Sequence, residues 1–472
     1  MKAFSFKKNL KSILPILFHV GLGLLFYFAE SLSILYYFGI LFYFLYHIFK
    51  NPQSKIWPLL GAGYITGVEI FLRMTKGFIF WEFGKYYVIL FLMIGLFNHG
   101  FKIKAWPFLL YILLLLPGVY VAYLNMDFME ESFRKTILFN LSGPLSLFVS
   151  ALYCYQLRIK LTDMFKILDY IVYPLIAMAV FIIFYQPDTQ NVFAAAESSA
   201  AASGGYSGNQ VSTILGLGMF ILFVRFLIPY RHKVKQLLMM GALALLSFRA
   251  LLTFSRGGVV VAGLMMVFFS LFFYFRINLL QKAKASIKFI LLGIGVVALW
   301  GYSVATTDGM IVNRYTGKNS QGIEEEDIST GRLTLIIEEL AAFEEKPFFG
   351  LGVGLSKFYR EKKTGIELPS HNEITRMIGE HGMLGILALG VLLITPLGML
   401  LSGNRNLFLI PFVIFWGATI NHSAMRVAAP GFIYGLALLN VNYRTYKKKK
   451  KRPYGNEARR VGVHRQPALP KG

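Results

Sequence analysis

Cysteine is almost missing. Cys154 is the only one in 472 residues, which excludes an intrachain disulfide and a thiolate metal cluster. Inside an apolar segment it reads as a small buried hydrophobe. Charge is scarce as well: 15% of residues are charged and 56% hydrophobic, where soluble domains have about 25% and about 45–50%. That balance excludes a water-soluble enzyme and a disordered chain, because one core cannot absorb so much apolar surface and a bilayer can. The scarcest charge is the acidic one, with 24 Asp and Glu against 48 Lys and Arg and a net charge of +24. In a soluble chain such an excess points to nucleic acid. Here the simpler reason is that cytoplasmic loops of membrane proteins collect Lys and Arg, and no nucleic-acid partner is implied.

Long apolar runs are what the chain has in abundance. Phe108 to Tyr123 and Gly257 to Phe275 contain no charge, and about 18 or more apolar residues at about 1.5 Å each cross the hydrocarbon. The expected fold class is all-α: a polytopic transmembrane helical bundle of about 12–14 spans. They lie near 12–29, 32–49, 57–73, 78–97, 105–124, 136–156, 165–184, 211–229, 236–254, 257–275, 286–305, 382–401, 405–421 and 427–443. Glu69, Glu82 and Lys85 interrupt the third and fourth.

Alternate loops divide by charge. One set holds Lys7, Lys8, Lys11, Lys50, Lys55, Lys102, Lys104, Arg158, Lys160, Lys166, Arg231, Lys233, Lys235, Arg276, Lys282, Lys284, Arg405 and the Lys447–Arg452 run. The other holds Asp127, Glu130 and Glu131, a 186–210 segment without Lys or Arg, the 306–381 loop and Asn421–Arg426. The first set is therefore cytoplasmic, with both termini inside and the 306–381 loop outside. Arg73, Lys76, Arg134 and Lys135 run against this rule and are outnumbered. The start, Lys2 to Lys11 and an apolar run, lacks a small-residue cleavage site and reads as a retained first span. After Tyr446 comes a basic anchor and a polar end that reads as disordered.

Two outer segments are unusual. Residues 186–210, with Ala194–Ala202 and Gly204–Gly205, form a low-complexity stretch that reads as mobile. The 306–381 loop is of a length that is usually functional. Within it Leu333, Ile336, Ile337, Leu340 and Phe343 recur at helical spacing. Thr330 is a candidate cap for that helix and Lys346-Pro347 its stop. No internal repeat or inverted symmetry is evident.

Three groups of residues carry chemistry. Thr253-Phe254-Ser255-Arg256-Gly257-Gly258 makes an outer turn between two spans, and Arg249 lies two turns deeper on the same helix face. An arginine about 10 Å inside an apolar span costs at least a few kcal/mol unless it is paired or hydrated. A snorkelling or carbonyl-bonded arginine is the structural alternative. The functional reading is an anion site, with guanidinium forks on phosphate oxygens and Gly257 and Gly258 admitting the anion to the backbone. The second group is Gly331-Arg332 at the start of the loop helix, closed by Lys346-Pro347 and Gly350, Gly352 and Gly354. Arg332 in a first turn opposes the helix dipole, which suggests an anionic partner. The third is Pro369-Ser370-His371-Asn372-Glu373, followed by Glu380-His381-Gly382-Met383-Leu384-Gly385. A neutral imidazole at His371 is a natural general base for a hydroxyl nucleophile. A metal site built from His371, His381 and His422 matches no ligand spacing.

In this order the groups resemble the O-antigen ligase/polymerase superfamily of bacterial envelope glycosyltransferases. The resemblance runs from about Gly204 to Gly390 and includes Gly208-Asn209-Gln210, Ser255-Arg256-Gly257, Gly331-Arg332, His371-Asn372 and Glu380-x-Gly382-x-x-Gly385. One departure is the aliphatic Leu335-Ile336, where the family helix often carries an aromatic. The resemblance implies a metal-independent, inverting transfer of a glycan from undecaprenyl diphosphate, with no cofactor. Carried over by motif, Arg256 and Arg332, with Arg249, hold the diphosphate. His371 deprotonates the acceptor hydroxyl, and Asn209, Asn372 and Glu380 are supporting candidates. The acceptor implied is a lipid A core (O-antigen ligation, the first reading) or a nascent polysaccharide (polymerisation). The enzyme is expected in the bacterial inner membrane among membrane lipids, with its active site periplasmic.

The corresponding division is 1–203 N-terminal transmembrane helices, 204–401 ligase-like catalytic region, 402–446 C-terminal transmembrane helices and 447–472 basic cytoplasmic tail. A polytopic transporter or lipid flippase is the alternative from another class. It accounts for intramembrane charge but not for a long outer loop with ordered motifs.

Overall fold

A backbone in lipid must satisfy its own hydrogen bonds, so apolar runs of this length are obliged to be helical. The computed structural model describes residues 2–125, 131–185, 200–319, 321–324, 332–365, 370, 372–404, 406–423 and 425–443; of 2–9, 131–133, 332, 364 and 423 it describes the backbone. The chain is all-α. Its helices are α1 Lys2–Phe28, α2 Ser33–Lys50, α3 Trp57–Met74, α4 Phe83–His99, α5 Trp106–Asn125, α6 Glu131–Cys154, α7 Leu161–Phe184, α8 Gly208–Leu227, α9 Lys233–Leu252, α10 Arg256–Arg276 and α11 Leu279–Thr306. After the helices of the 306–381 loop, α12 Met310–Thr316, α13 Arg332–Glu345 and α14 Ser356–Thr364, come α15 Glu373–Leu401, α16 Leu409–Ser423 and α17 Ala429–Ala437. Among the described residues ten helices are long and apolar enough to cross a membrane, and Phe83–His99 and Leu409–His422 are shorter apolar ones.

Burial sorts these helices into layers. α3 is buried from Pro58 to Met74, and α7 and α8 are buried over 83% and 89% of their apolar windows. Around them stand α1, α2, α5, α10 and α11, whose windows are at most 28% buried. The inner helices touch backbone to backbone: a Cβ on Gly67 would strike the Ile171 carbonyl of α7. Strands β1 (Arg158–Lys160) and β2 (Asn440–Asn442) pair in parallel and tie the two halves of the chain together.

At the loop end α15 begins at Glu373, nine residues before the expected span, and breaks at Gly382 (φ 61, ψ −140). The 347–354 segment is strapped into that break. Leu351 N–H donates to Gly379 O at 2.9 Å, Gly352 N–H to Glu380 O at 3.0 Å and Met383 N–H to Pro347 O at 2.7 Å. Gly350, Gly352 and Gly354 all have positive φ, so the glycine run is a turn that lets the strap follow the break. The last expected span, 427–443, is instead the nine-residue α17 followed by β2. Its shortness has a cause: the chain leaving α16 turns back inside the bundle. Met425 lies against Gly143 of α6, about 16 Å along that helix from its far end at Cys154.

Candidate functional site

The Thr253–Gly258 turn is built by its neighbours. Phe254 takes a left-handed conformation (φ 54), and its carbonyl accepts from Arg314 Nε of α12 at 3.0 Å. The Ser255 carbonyl accepts from Ser212 Oγ at 2.9 Å, while Ser255 Oγ donates to Asn209 Oδ1 at 2.8 Å. Arg256 is thereby fixed as the first residue of α10, half-buried and electrostatically beside Tyr315. Arg249 is buried in the last turn of α9, beside the Phe248 ring, and its Nε has no hydrogen-bond partner among the described residues. The two glycines also have a packing role. A Cβ on Gly257 would meet the His422 ring at 2.7 Å, and one on Gly258 would strike the Ser212 backbone. On the Cβ side of each glycine the space is filled by protein, so both serve close packing there.

His371 lies outside the described residues, but Ser370 and Asn372 do not. Asn372 caps α15, its Oδ1 accepting from Ile374 N–H at 2.9 Å, and its Nδ2 donates to Asn421 Oδ1 at 2.6 Å. The next residue, His422, has Nδ1 2.8 Å from Ala418 O and Nε2 3.2 Å from Thr213 Oγ1. The last turn of α16 thus joins the Ser255–Gly258 turn to the 370–372 segment. On its other side the Ser370 carbonyl accepts from Arg426 Nη2 at 3.0 Å.

Thr330, Gly331 and the Arg332 side chain also lie outside the described residues. The helix that begins at Arg332 is nonetheless anchored. Two turns along, Glu339 accepts from Thr375 Oγ1 of α15 at 2.5 Å and from Arg360 Nη2 of α14 at 2.9 Å. Burial raises the Glu339 pKa above the usual carboxylate range, against those hydrogen bonds and the nearby Arg360. Arg360 Nε is 3.0 Å from Glu338 as well. One carboxylate therefore locks the first turn of α15 to the loop helices.

Below this lies a cavity of about 340 Å³ between α6, α14, the start of α15 and the 425–426 turn. Five basic residues line it, Lys85, Lys135, Lys357, Arg376 and Arg426, against two acidic ones, Glu373 and Glu380. Arg376 pairs with both carboxylates, reaching Glu380 at 2.5 Å. Glu380 is thus paired with Arg376 and, through its backbone, tied to the strap.

The floor of the cavity is an irregular turn deep in the bundle, and charged side chains answer its backbone. Lys85 Nζ donates to Met425 O at 3.1 Å, Arg73 Nη1 to Arg426 O at 3.3 Å, and Ala428 N–H donates to Glu69 Oε2 at 2.8 Å. Glu69 and Arg73 pair at 2.6 Å with both side chains fully buried, and Lys85 pairs with Glu82. Non-helical backbone at membrane depth is tolerated only with such partners.

The sequence signal for these residues was the charge interrupting the third and fourth spans, at the i, i+4 spacing of Glu69 and Arg73 and the i, i+3 spacing of Glu82 and Lys85. Arg426 stood in a short outer turn with nothing to mark it. Residues 241–390 match the family model described as O-antigen ligase. The matched stretch holds Arg249, Arg256, Arg332, His371 and Glu380, and the 425–428 turn and α1–α8 lie outside it. No curated protein matches the chain.

Proposed function

We propose, from the premise that residues 241–390 carry an O-antigen ligase domain in a multi-pass bacterial membrane protein, that this protein transfers a glycan from undecaprenyl diphosphate to an acceptor hydroxyl at the outer face of the cytoplasmic membrane. Departure of the diphosphate from the anomeric carbon builds negative charge on its oxygens. Arg256, Arg332 and Arg249 answer that charge, and guanidinium groups held beside a low-dielectric bilayer stabilise it more than water does. His371 takes the proton of the acceptor hydroxyl as it attacks from the opposite face, giving inversion. Asn209 fixes Ser255, Asn372 fixes the start of α15, and Glu380 holds Arg376; these are positioning roles.

The observation that carries the reading is the bridge from Gly257 through His422 and Asn421 to Asn372, which brings the neighbours of Arg256 and of His371 to one helix end. Ligation to a lipid A core is the first form of the reaction, and polymerisation onto a lipid-linked chain is the second. Transport is less well supported, because the intramembrane charges of α3 and α4 are occupied by the 425–428 backbone.

The test is substitution of Arg256, Arg332 or His371 by Ala. Long-chain polysaccharide is expected to vanish from a gel while membrane levels of the protein stay normal; normal ladders from all three variants defeat the reading. In a deletion strain, polymer retained on its lipid carrier identifies a ligase, and single repeats on core identify a polymerase.

A further inference from the structure

A second and larger cavity, of about 1000 Å³, shares no lining residue with the one described above. α8, α10 and α15 end at it and α7 and α11 begin at it, so it sits at one end of the bundle, where a bilayer passes from hydrocarbon to headgroups. α11 gives it one wall and is itself almost bare: this helix of 28 residues is buried over 6% of its apolar window. At the cavity α11 is joined to α8 through Lys288, whose Nζ donates to Phe226 O at 3.0 Å and to Leu227 O at 2.8 Å. These are carbonyls of a helix end, which carries partial negative charge. The ammonium keeps a third proton for another acceptor.

The lining carries charge of one sign. Arg276, Lys284 and Lys288 line the cavity and, among the described residues, no Asp or Glu does. The acidic residues of α7, the helix that contributes Leu161, are paired elsewhere: Asp163 with Lys166 at 3.1 Å and Asp169 with Lys235 at 2.7 Å. Arg276 is electrostatically beside Tyr443, whose hydroxyl accepts from Leu407 N–H at 2.8 Å. Lys284 is exposed and has no ion pair or hydrogen bond among the described residues. Two amides add donors. Gln281 Oε1 accepts from Asn278 N–H at 3.3 Å and Asn404 Oδ1 from Asn406 N–H at 2.9 Å, so the NH2 end of each is the one left for a ligand. Cations and donors without carboxylates fit an anion. Leu227, Phe273, Leu400 and Leu407, on the same lining, fit hydrocarbon. A free phosphate gains nothing from such walls, and a molecule with both parts is a phospholipid.

We propose that this cavity holds an anionic phospholipid of the surrounding membrane. Its phosphate lies against Arg276, Lys284 and Lys288, and its acyl chains run along Leu227, Phe273, Leu400 and Leu407, between α11 and the bundle. Basic pockets between transmembrane helices are where anionic headgroups bind. The site does not depend on the glycosyl-transfer reading.

The test uses the full-length protein, purified in detergent and stripped of lipid. Three probes are offered: dioleoyl phosphatidylglycerol, dioleoyl phosphatidylcholine, and glycerol 3-phosphate, an anionic headgroup without chains. Native mass spectrometry counts the lipid bound, and a melting curve follows each variant. Wild type is expected to bind phosphatidylglycerol at least about tenfold tighter than phosphatidylcholine, and glycerol 3-phosphate at equal concentration does not displace it. Lys284→Ala and Arg276→Ala each weaken the preference severalfold, and Lys284→Glu abolishes it. Lys104→Ala, at an exposed position between α4 and α5 outside the cavity, leaves it intact. Equal binding of the two lipids overturns the proposal, and so does an unchanged preference in both Lys284→Ala and Arg276→Ala. An equal loss in Lys104→Ala makes the preference a diffuse effect of positive charge and overturns it too. Displacement by glycerol 3-phosphate reveals an anion site with no use for chains, which also defeats the lipid assignment. If Arg276→Ala melts early, the exposed Lys284 variants decide by the same criterion.

Discussion

Asn372 and Asn421 meet side chain to side chain at 2.6 Å, and this single bond fixes the residue after His371 to the helix end that packs on Gly257. Asn421→Ala removes only that link. Transfer rate is expected to fall about tenfold, since a displacement near 1 Å at a reacting centre can cost up to about 10². Asn372→Ala also loses the α15 cap, at about 1 kcal/mol. The double variant should transfer no more slowly than Asn372→Ala, because the two residues share one interaction. Initial rates with a lipid-linked donor check this, and multiplicative losses would refute the coupling.

The buried Glu69–Arg73 pair should matter for stability more than for chemistry. Removing one partner of a buried pair costs about 3–5 kcal/mol, so Glu69→Ala is expected to melt well below wild type in detergent. Glu69→Gln retains an acceptor for Ala428 N–H and should lose less. A Glu69→Ala protein that melts with wild type contradicts the clamp.

The charges just discussed show how far a sequence carries. Apolar runs made the spans legible because lipid leaves a backbone no other choice, and the loop helix at Arg332–Glu345 was legible from its periodicity. Gly382 marked the start of an expected span and is the break inside a longer helix, a distinction set by the strap from 347–354 and not by local propensity. Arg426 was illegible because its importance depends on a turn that folds inward, held by residues about 340–360 positions away along the chain. The span at 427–443 was misjudged for the same reason.

Gly382→Ala is predicted to loosen the strap. The position has φ 61 and ψ −140, and an added Cβ would sit 2.5 Å from Pro347 O, so strain of about 1–3 kcal/mol is expected before any clash. Gly390→Ala, in the same helix with nothing near its Cβ, should be neutral or slightly stabilising. Limited proteolysis of the 306–381 loop separates them: faster cleavage for Gly382→Ala alone is expected, and equal rates would count against the strap.

Glu339 should give the 306–381 loop a pH dependence. Its pKa is raised by burial, so the native state holds the proton more tightly than the unfolded chain. The corresponding stability is fully present below the ordinary carboxylate value, near 4.3, and is lost as pH rises through the raised value. Glu339→Gln, which cannot ionise, should flatten the profile. Hydrogen exchange of α13 and α14 across a pH series reads this out, and an unchanged slope in the variant would remove Glu339 as its source.

The inward turn at 425–428 also limits what any fragment of this protein can do. Its carbonyls and amide are met by side chains from α3 and α4, and its guanidinium meets the segment before α15. A truncated polypeptide holding only 241–390 would carry the recognisable signature and none of the parts that shape the floor beneath it. That region therefore does not complete the chamber by itself: α3, α4 and the 425–428 turn are its structural co-authors.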